Sequence, residues 1–205
     1  MSEKHFIEHR ILFGQKSNLP KRFSSDHETT KELIERYRSM GKKIVLTQGS
    51  FDMIHIGHAR YLEEAKKHGD ILLVGIDSDE KVRSRKGEHR PVVPQEERLE
   101  MLVHLRSVDL VTIKEHSDPK WHLIKIVRPD ILIITERMDY SEEAKKELEK
   151  LCGKIVLLQS QATTSTSARV RNLHTSGADN VTKRIMEKFP TLVAEVFEEV
   201  KNKNI

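Results

Sequence analysis

The sequence predicts an α/β fold built on a parallel five-stranded sheet with helices on both faces, followed by C-terminal helices. Two observations predict it. Short apolar runs alternate with helical patterns of about ten residues, which is typical of strand-helix-strand units. One run, residues 71–76 (ILLVGI), is apolar without interruption, as expected for a strand that is covered on both faces. Together these features indicate a Rossmann-like arrangement.

The predicted strands are the short runs rich in isoleucine, valine and leucine. None shows the apolar-polar alternation of a strand with one face in water. In a parallel sheet of this kind, ligands bind outside the carboxyl ends of the strands, where the strand order reverses. The runs lie at residues 44–46, 71–76, 110–113, 130–134 and 154–158.

The predicted helices precede, connect and follow these strands. The first, HETTKELIERYRSM, places Leu33, Ile34 and Tyr37 on one side and stops at Gly41. A basic, polar loop is predicted over residues 77–94. The helices are predicted at residues 27–40, 57–68, 95–106, 120–127 and 142–151.

The two ends of the chain differ from this α/β domain, which we assign to residues 27–174. Residues 1–26 mix basic, polar and turn-forming residues without a period, so an N-terminal arm is expected. Residues 175–205 carry an apolar stripe at helical spacing and form a predicted C-terminal helical extension. The stripe is expected to pack on its own domain, with a homodimer contact as the alternative.

The composition limits the expected cellular location of the protein and the classes of partner that it can bind. The chain has 205 residues, is 37% hydrophobic and 33% charged, and carries a formal charge of +4, which suits an anionic small molecule as well as nucleic acid. No run of eighteen apolar residues and no secretory signal is visible, so we expect a cytoplasmic protein without a membrane partner. Cys152 is the single cysteine, which excludes an internal disulfide or a thiolate metal site.

The most informative stretch is GSFDMIHIGH, residues 49–58, between the first long strand and its helix. Gly49 allows close backbone approach to a ligand, and Gly57 leaves room over the outward-pointing amides of a helix start. His55 and His58, three residues apart, lie on one side of that start and can both face a bound anion. The alternatives are helix caps, surface residues or two metal ligands. Because no third ligand stands out, no protein-held metal is predicted.

These ten residues resemble the G-[ST]-F-D-x-x-H-x-G-H signature of the nucleotidyltransferase superfamily, in the strand-loop-helix context that the motif requires. The resemblance implies that this segment contacts a nucleotide and that His55 and His58 take part in catalysis. The implied nucleotide-binding residues of the segment are Gly49, Ser50, Phe51, Asp52, His55, Gly57 and His58.

A longer stretch, beginning LIERYRSMGKKIVLTQGSFD at Leu33, resembles the adenylyltransferase domain of bacterial heptose-1-phosphate enzymes over about residues 33–173. It is similar, more loosely, to glycerol-3-phosphate cytidylyltransferases and archaeal FAD synthases. The resemblance implies catalytic roles for Lys86 and Arg98 and nucleotide contacts from Asp77. The further implied contacts are Ser165, Thr166 and Ser167 with the nucleotide, and Lys86, Arg90, Arg98, Asp139 and Tyr140 with the acceptor.

Simple alternatives exist for these residues. The cations at 81–90 suit a mobile clamp on polyphosphate, or a solvated loop. Arg98 suits a phosphate contact, or a pair with a glutamate one turn away. The hydroxyls at 165–167 suit a triphosphate cradle, or a plain helix cap. Residues 135–140, TERMDY, depart from the Lys-Gly-Gly-Asp-Tyr of heptose enzymes and keep only Asp139 and Tyr140, which leaves the acceptor open.

The resemblance implies a nucleotidyltransferase that uses an NTP, with ATP favoured and CTP as the alternative, and a phosphorylated small molecule such as a sugar or polyol phosphate. Mg²⁺ is expected to arrive with the nucleotide. The runner-up activities are those of a glycerol-3-phosphate-type cytidylyltransferase and an FAD synthase-like enzyme. A more distant alternative is a non-catalytic nucleotide-binding protein that touches nucleic acid with its basic arm; nucleic acid is otherwise not an expected partner.

Overall fold

The computed structural model describes residues 19–136 and 140–159, which lie in the first of two compact units, Met1–Thr163. The second unit, Thr164–Ile205, contains the predicted C-terminal helices and lies outside the described residues. Within the described part, a parallel six-stranded sheet is covered by helices, which confirms the α/β class. The strands are β1 Phe23–Ser24, β2 Ile44–Gly49, β3 Ile71–Asp77, β4 Leu110–Lys114, β5 Ile131–Thr135 and β6 Lys154–Leu158.

Helices connect these strands in the described part of the chain. α2 begins after Asp26, whose side chain accepts a hydrogen bond from the amide of Thr29 at 2.7 Å. None of the helices in the described ranges is long and apolar enough to cross a bilayer. They are α1 Leu19–Arg22, α2 His27–Ser39, α3 Ile56–Lys66, α4 Asp79–Lys86, α5 Gln95–His104, α6 His122–Val127 and α7 Glu142–Glu149.

The prediction of five strands was wrong, because β1 adds a sixth at the edge beside β4. Residues 19–26, predicted as part of an irregular arm, instead contain α1 and β1. Leu19 is 2% exposed and joins the core, and Arg22 donates to the carbonyl oxygen of Val103 at 3.1 Å. A two-residue strand is too short to show a hydrophobic period, so sequence pattern alone misses it.

The predicted loop at residues 77–94 was also partly wrong, because α4 occupies its first half. Ser78 caps this helix by accepting from the amide of Lys81 at 3.3 Å, and Gly87 ends it with a φ of 93°. Val82 is its buried residue. Because α4 has so little apolar surface, it has caps but no amphipathic stripe, and hydrophobic periodicity could not predict it.

The sheet order β1-β4-β3-β2-β5-β6 places β2 between β3 and β5. From β2 the chain runs outward through β3 to β4, and then returns to the opposite side of β2 as β5. The strand order therefore reverses between β2 and β5. Ligands of such sheets bind in the crevice at the carboxyl ends of the two strands that flank this reversal.

Two apolar clusters cover the two faces of the sheet. Successive residues of one strand join opposite clusters, as Leu72 and Leu73 do on β3. The first cluster includes Leu62 of α3, and the second includes Ile34 of α2 and Leu123 of α6. Helices on both faces hold the strands rigidly, so the loops at their carboxyl ends start from fixed positions.

Candidate functional site

The loop between β2 and α3 is strained. Phe51 and Met53 have φ angles of 47° and 51°, in the left-handed region that residues other than glycine rarely adopt. Such conformations cost on the order of 1–3 kcal/mol each and persist where the surroundings hold them. The Phe51 ring lies against Gly49, where an added Cβ would come within 3.2 Å of it. A larger residue at Gly49 would therefore displace that ring.

Asp52 holds this loop in place from within. Its side chain is 1% exposed and forms an ion pair with Arg90 at 2.7 Å. Its carboxylate also accepts hydrogen bonds from the amides of Val92 and Val93 at 3.0–3.1 Å. Asp52 thus ties the β2–α3 loop to residues 90–93. Arg90, predicted to contact the acceptor, is paired with this carboxylate in the structure.

His55 and His58 form a reciprocal cap at the start of α3. Nδ1 of His55 accepts from the amide of Gly57 at 3.0 Å, and Nδ1 of His58 accepts from the amide of His55 at 3.4 Å. The ring centroids lie 4.1 Å apart. A neutral imidazole that accepts at Nδ1 carries its proton at Nε2, so each ring has an N–H donor on the side opposite the helix backbone. Capping and anion binding are therefore compatible in this pair.

Lys86, the last residue of α4, reaches the same loop. Its ammonium donates to the hydroxyl of Ser50 at 2.7 Å. Desolvation lowers the pKa of Lys86, and the nearby positive charges of Arg85 and Arg90 lower it further. Arg85 and Arg90 pair with Asp77 and Asp52, and Lys86 adds a further positive charge that would favour an anion beside the histidine loop.

Arg98 differs from its prediction as a phosphate contact. Its side chain is 1% exposed. The guanidinium donates to the carbonyl oxygens of Ser50 and Asp77, and its ion pair with Asp79 measures 2.7 Å. Since its donors serve the ends of β2 and β3, Arg98 fixes those loops rather than reaching into the crevice. A charged helix pattern in a sequence cannot show which of its side chains is buried.

Asp77 ends β3 between two cations that sequence reasoning did not single out. Its carboxylate binds Arg85 at 2.7 Å and Lys114, the last residue of β4, at 3.0 Å. Burial raises the pKa of Asp77, but these cations outweigh burial and hold it below its usual 3.8. Desolvation lowers the pKa of Lys114 in turn. Lys114 could have been predicted from the sequence, because it is a lysine that directly follows the apolar run of a predicted strand at its carboxyl end.

Of the two predicted acceptor contacts that follow β5, Asp139 and Tyr140, the structure describes Tyr140. Its half-buried ring packs edge-on against Trp121 with centroids 5.4 Å apart. Burial raises the pKa of its phenol, on which the charges of Arg85 and Asp77 also act. The phenol thus experiences the charges of the Asp77–Arg85 pair, at the end of β3 and on α4. Asp139, Ser165, Thr166 and Ser167 lie outside the described residues.

The structure thus brings most of the described candidates to the carboxyl edge of the sheet. Gly57 is buried at the start of α3, where its amide contacts His55. The loop after β2 carries the two rings, α4 supplies Lys86, and Arg98 and Asp52 hold the surrounding backbone. This arrangement can bind an anion and donate hydrogen bonds to charge that develops on it.

A family model described as cytidylyltransferase-like matches residues 46–177. Curated relatives include two proteins named Bifunctional protein HldE. The one from a Nitratiruptor species is 38% identical over 150 residues, covering 73% of this chain and 32% of that protein. The one from Aliarcobacter butzleri is 35% identical over 164 residues, covering 78% and 34%. The chain spans about a third of the length of these relatives.

Two solved structures are similar. A lipopolysaccharide core biosynthesis protein from Thermoplasma volcanium is 32% identical with a TM-score of 0.52, covering 58% of this chain and 98% of that one. A pantoate-beta-alanine ligase from Francisella tularensis, solved with beta-gamma ATP and beta-alanine, is 15% identical with a TM-score of 0.56, covering 74% and 72%. The second supports the fold alone. Together with the family match, these similarities confirm the resemblance stated from residues 49–58.

Proposed function

Because the chain belongs to the cytidylyltransferase-like family of nucleotidyltransferases, we propose that it transfers AMP from ATP to a phosphorylated small molecule, such as a sugar or polyol phosphate, and releases pyrophosphate. The observation that carries this proposal is the pair of imidazoles fixed 4.1 Å apart at the start of α3. Preference for ATP over CTP rests on the resemblance to adenylyltransferase domains and on the HldE relatives.

The proposed reaction is one in-line displacement. An oxygen of the acceptor's phosphate forms a bond to the α-phosphorus of the nucleotide, and the bond from that phosphorus to the bridging oxygen of the β-phosphate breaks. The electron pair leaves with pyrophosphate. A phosphate monoester is mostly dianionic at neutral pH, since its second pKa is about 6, so the nucleophile needs no general base. Positioning and charge stabilisation remain as the tasks of the protein.

The histidine pair suits those tasks. With both Nδ1 atoms accepting backbone amides, the two Nε2–H groups would donate to oxygens of the α-phosphate and of the leaving group. The strained loop and its hold by Asp52 fix the donors before substrate binds. Donors fixed in advance stabilise developing charge without reorganising during the reaction.

The cations have two different proposed roles. Lys86, and Arg85 with its half-exposed side chain, would contact phosphates directly, since both lie beside the histidine loop or the crevice. Arg98 is a positioning residue, because its buried guanidinium holds the carbonyl groups of Ser50 and Asp77. Asp52 holds residues 90–93 in the same indirect way. The hydroxyl run at Ser165 to Ser167 stays a proposed triphosphate contact.

Mg²⁺ fits this scheme as a companion of the nucleotide. The two carboxylates near the crevice, Asp52 and Asp77, already bind cations of the protein, and neither is open to a metal in this arrangement. Mg²⁺ prefers substrate phosphates and water to an all-protein cage. When bound there, it would neutralise phosphate charge.

The acceptor is proposed to lie where β2 and β5 flank the strand reversal. Tyr140 follows β5 in the chain, and β5 pairs with β2, the strand that leads into the loop that carries the histidines. The departure of residues 135–140 from the heptose pattern makes this segment the one that selects the acceptor. Sugar phosphates other than heptose therefore belong in the test.

A pyrophosphate-release assay tests the proposal. The purified chain is incubated with Mg²⁺, each of ATP, CTP, GTP and UTP, and a panel of sugar phosphates, polyol phosphates and FMN. We expect release with ATP that requires a sugar or polyol phosphate. Release with CTP and glycerol 3-phosphate, or with ATP and FMN, would replace the proposed substrate by one of the two runner-up activities. No release with any combination would overturn the proposal.

A further inference from the structure

A second group of side chains lies together at the carboxyl end of β4, apart from the histidine loop. Among residues 19–136 and 140–159, one group of three potential metal ligands is found, and it consists of His27, Asp118 and His122. One ligand atom from each lies within 4.8 Å of the others. We propose that these three residues bind a transition-metal ion such as Zn²⁺.

The fold brings His27 to Asp118 and His122, which are four residues apart in the sequence but far from His27. His27 is the first residue of α2, Asp118 lies in the turn after β4, and His122 is the first residue of α6. The two rings have centroids 4.8 Å apart, tilted by 59°, and Nε2 of His27 lies 3.7 Å from the Asp118 carboxylate. All three side chains are partly buried, so they are shielded but reachable by an ion.

Backbone hydrogen bonds hold each of the three residues near this position. Nε2 of His27 lies 3.0 Å from the carbonyl oxygen of Ile113, and the Asp118 carboxylate accepts from the amide of Glu115 at 2.7 Å. The amide of His122 donates to the carbonyl oxygen of Pro119 at 3.0 Å. The outer contact that orients a metal-bound imidazole comes from the ring nitrogen that does not bind the ion. The Ile113 contact would therefore persist if His27 bound the ion through Nδ1, and an ion bound at Nε2 would replace it.

The ligand types indicate which metals fit. Two imidazoles and one carboxylate suit Zn²⁺, Co²⁺, Ni²⁺ or Fe²⁺, whereas Mg²⁺ and Ca²⁺ prefer oxygen ligands. Tetrahedral bonds of about 2.1 Å place ligand atoms about 3.4 Å apart, so ligand atoms that now lie within 4.8 Å of one another would close by up to about 1.4 Å around an ion. Rotations of the Asp118 and His122 side chains supply a movement of that size. Water would complete the coordination.

The proposed metal site is connected to α4, the helix that ends at Lys86. The turn that provides Asp118 also contacts α4, because Lys81 donates to the carbonyl oxygen of Glu115 at 2.8 Å and Ser84 lies 3.4 Å from Nδ1 of His116. A metal at Asp118 would fix this turn and join it to α2 and α6. We therefore expect the ion to stabilise the folded domain by mass action.

Metal binding is tested with Zn²⁺ and Co²⁺ alone, on full-length chain first treated with a chelator. Calorimetry should show one Zn²⁺ per chain that is lost in Asp118→Asn and His122→Gln and kept in the matched control His116→Ala. At a hundredfold excess over Kd, Zn²⁺ should raise Tm by about 5 °C or more, and Mg²⁺ at the same concentration should not.

Co²⁺ provides a readout that needs no variant. Bound by these three ligands and water, it should give the visible absorption of a four-coordinate ion, and Zn²⁺ should displace it. The proposal is overturned if wild-type protein binds no Zn²⁺, or if Co²⁺ keeps the spectrum of the hydrated ion. It is also overturned if the two site variants, folded by circular dichroism, bind as much Zn²⁺ as His116→Ala. These outcomes are independent of whether the chain transfers nucleotides.

Discussion

His55 and His58 each use both ring nitrogens in the proposed complex. Nδ1 accepts from a backbone amide, and Nε2 donates to a phosphate oxygen. The first contact is present in the structure, with N–H to Nδ1 separations of 3.0 and 3.4 Å between heavy atoms. It fixes the proton on the other nitrogen of a neutral ring. Histidine suits both tasks because it caps the helix at Nδ1 and donates from Nε2–H on the far side of the ring. An ionised aspartate can cap but not donate, and a serine hydroxyl does both only from a single atom beside the backbone.

Replacing His58 by alanine tests the role of one ring. We expect kcat to fall at least tenfold, because one donor to the developing charge is lost. His104→Ala is the matched control, since that residue ends α5 and its half-exposed ring lies 3.6 Å from the carboxylate of Glu100. Initial rates of pyrophosphate release measure both. An unchanged rate in His58→Ala would remove this ring from the mechanism.

Asp77 should give stability a specific pH dependence. Its folded-state pKa is lowered by Lys114 and Arg85, so the stabilisation is present above the unfolded value of 3.8 and is lost as pH falls through the folded pKa. Asp77→Asn should reduce the free energy of unfolding by about 3 kcal/mol at pH 7, mostly through the buried Lys114, since Arg85 is half exposed.

Urea denaturation of wild type and Asp77→Asn at pH 7, 5, 4 and 3 measures this difference. The difference should stay constant from pH 7 to about 5 and shrink below 3.8, where the wild-type carboxyl takes up a proton. A difference that is equal at pH 3 and pH 7, or that grows on acidification, would contradict the assignment of the ion pairs.

At the scale of elements, the site is assembled by side chains that join one loop to another. Arg98 of α5 holds the ends of β2 and β3 through the carbonyl groups of Ser50 and Asp77, and Asp52 holds residues 90–93. These contacts separate roles that the sequence could not separate. A motif match places Arg98 among phosphate-binding residues, but only burial shows that its donors are already in use.

Arg98→Met should therefore act on stability. The change leaves Asp79 and three carbonyl oxygens, those of Ser50, Asp77 and Val93, without their buried partner, at a cost of about 3–5 kcal/mol. Arg83→Met makes the same chemical change at an exposed position of α4 and should cost less than about 0.5 kcal/mol. Chemical denaturation compares the two. Equal stability of both variants would show that Arg98 is not held as described.

Leu19 tests whether the residues before α2 belong to the sheet domain. It is 2% exposed within the core cluster, so Leu19→Ala should lower the free energy of unfolding by about 2–5 kcal/mol. Met40, which is 67% exposed, offers the control Met40→Ala, with an expected change below about 0.5 kcal/mol. If the two variants were equally stable, α1 and β1 would not be integral parts of the fold.

At the scale of the whole molecule, much of the sheet was predictable because its strands are continuous apolar runs. The runs at 71–76 and 110–113 appear as β3 and β4 with one added residue each. The elements that the sequence did not predict are short or carry little apolar surface. They are β1, with two residues, and α4, which is capped but polar. Strand order and buried polar contacts depend on tertiary packing. The pairing of β2 with β5 and the ion pair of Lys114 with Asp77 could therefore be found only from the structure.

The motif at 49–58 predicted the candidate site because its chemistry is local, with the cap, the rings and the glycines in ten consecutive residues. The group at His27, Asp118 and His122 is the opposite case. Its members are distributed between two helices and a turn, and no sequence spacing connects His27 to Asp118 and His122. Local chemistry can be read from spacing, whereas assembled chemistry depends on which elements the fold places together.

The most direct test of nucleotidyl transfer follows the oxygen atoms of the acceptor. The acceptor that supports pyrophosphate release is prepared with ¹⁸O in its phosphate and incubated with ATP and Mg²⁺, and the products are examined by ³¹P NMR. Attack by that phosphate on the α-phosphorus predicts ¹⁸O in the bridge of a new nucleotide diphosphate conjugate, an equal amount of unlabelled pyrophosphate, and no free AMP. Label in pyrophosphate, or AMP without a conjugate, would contradict nucleotidyl transfer at this site.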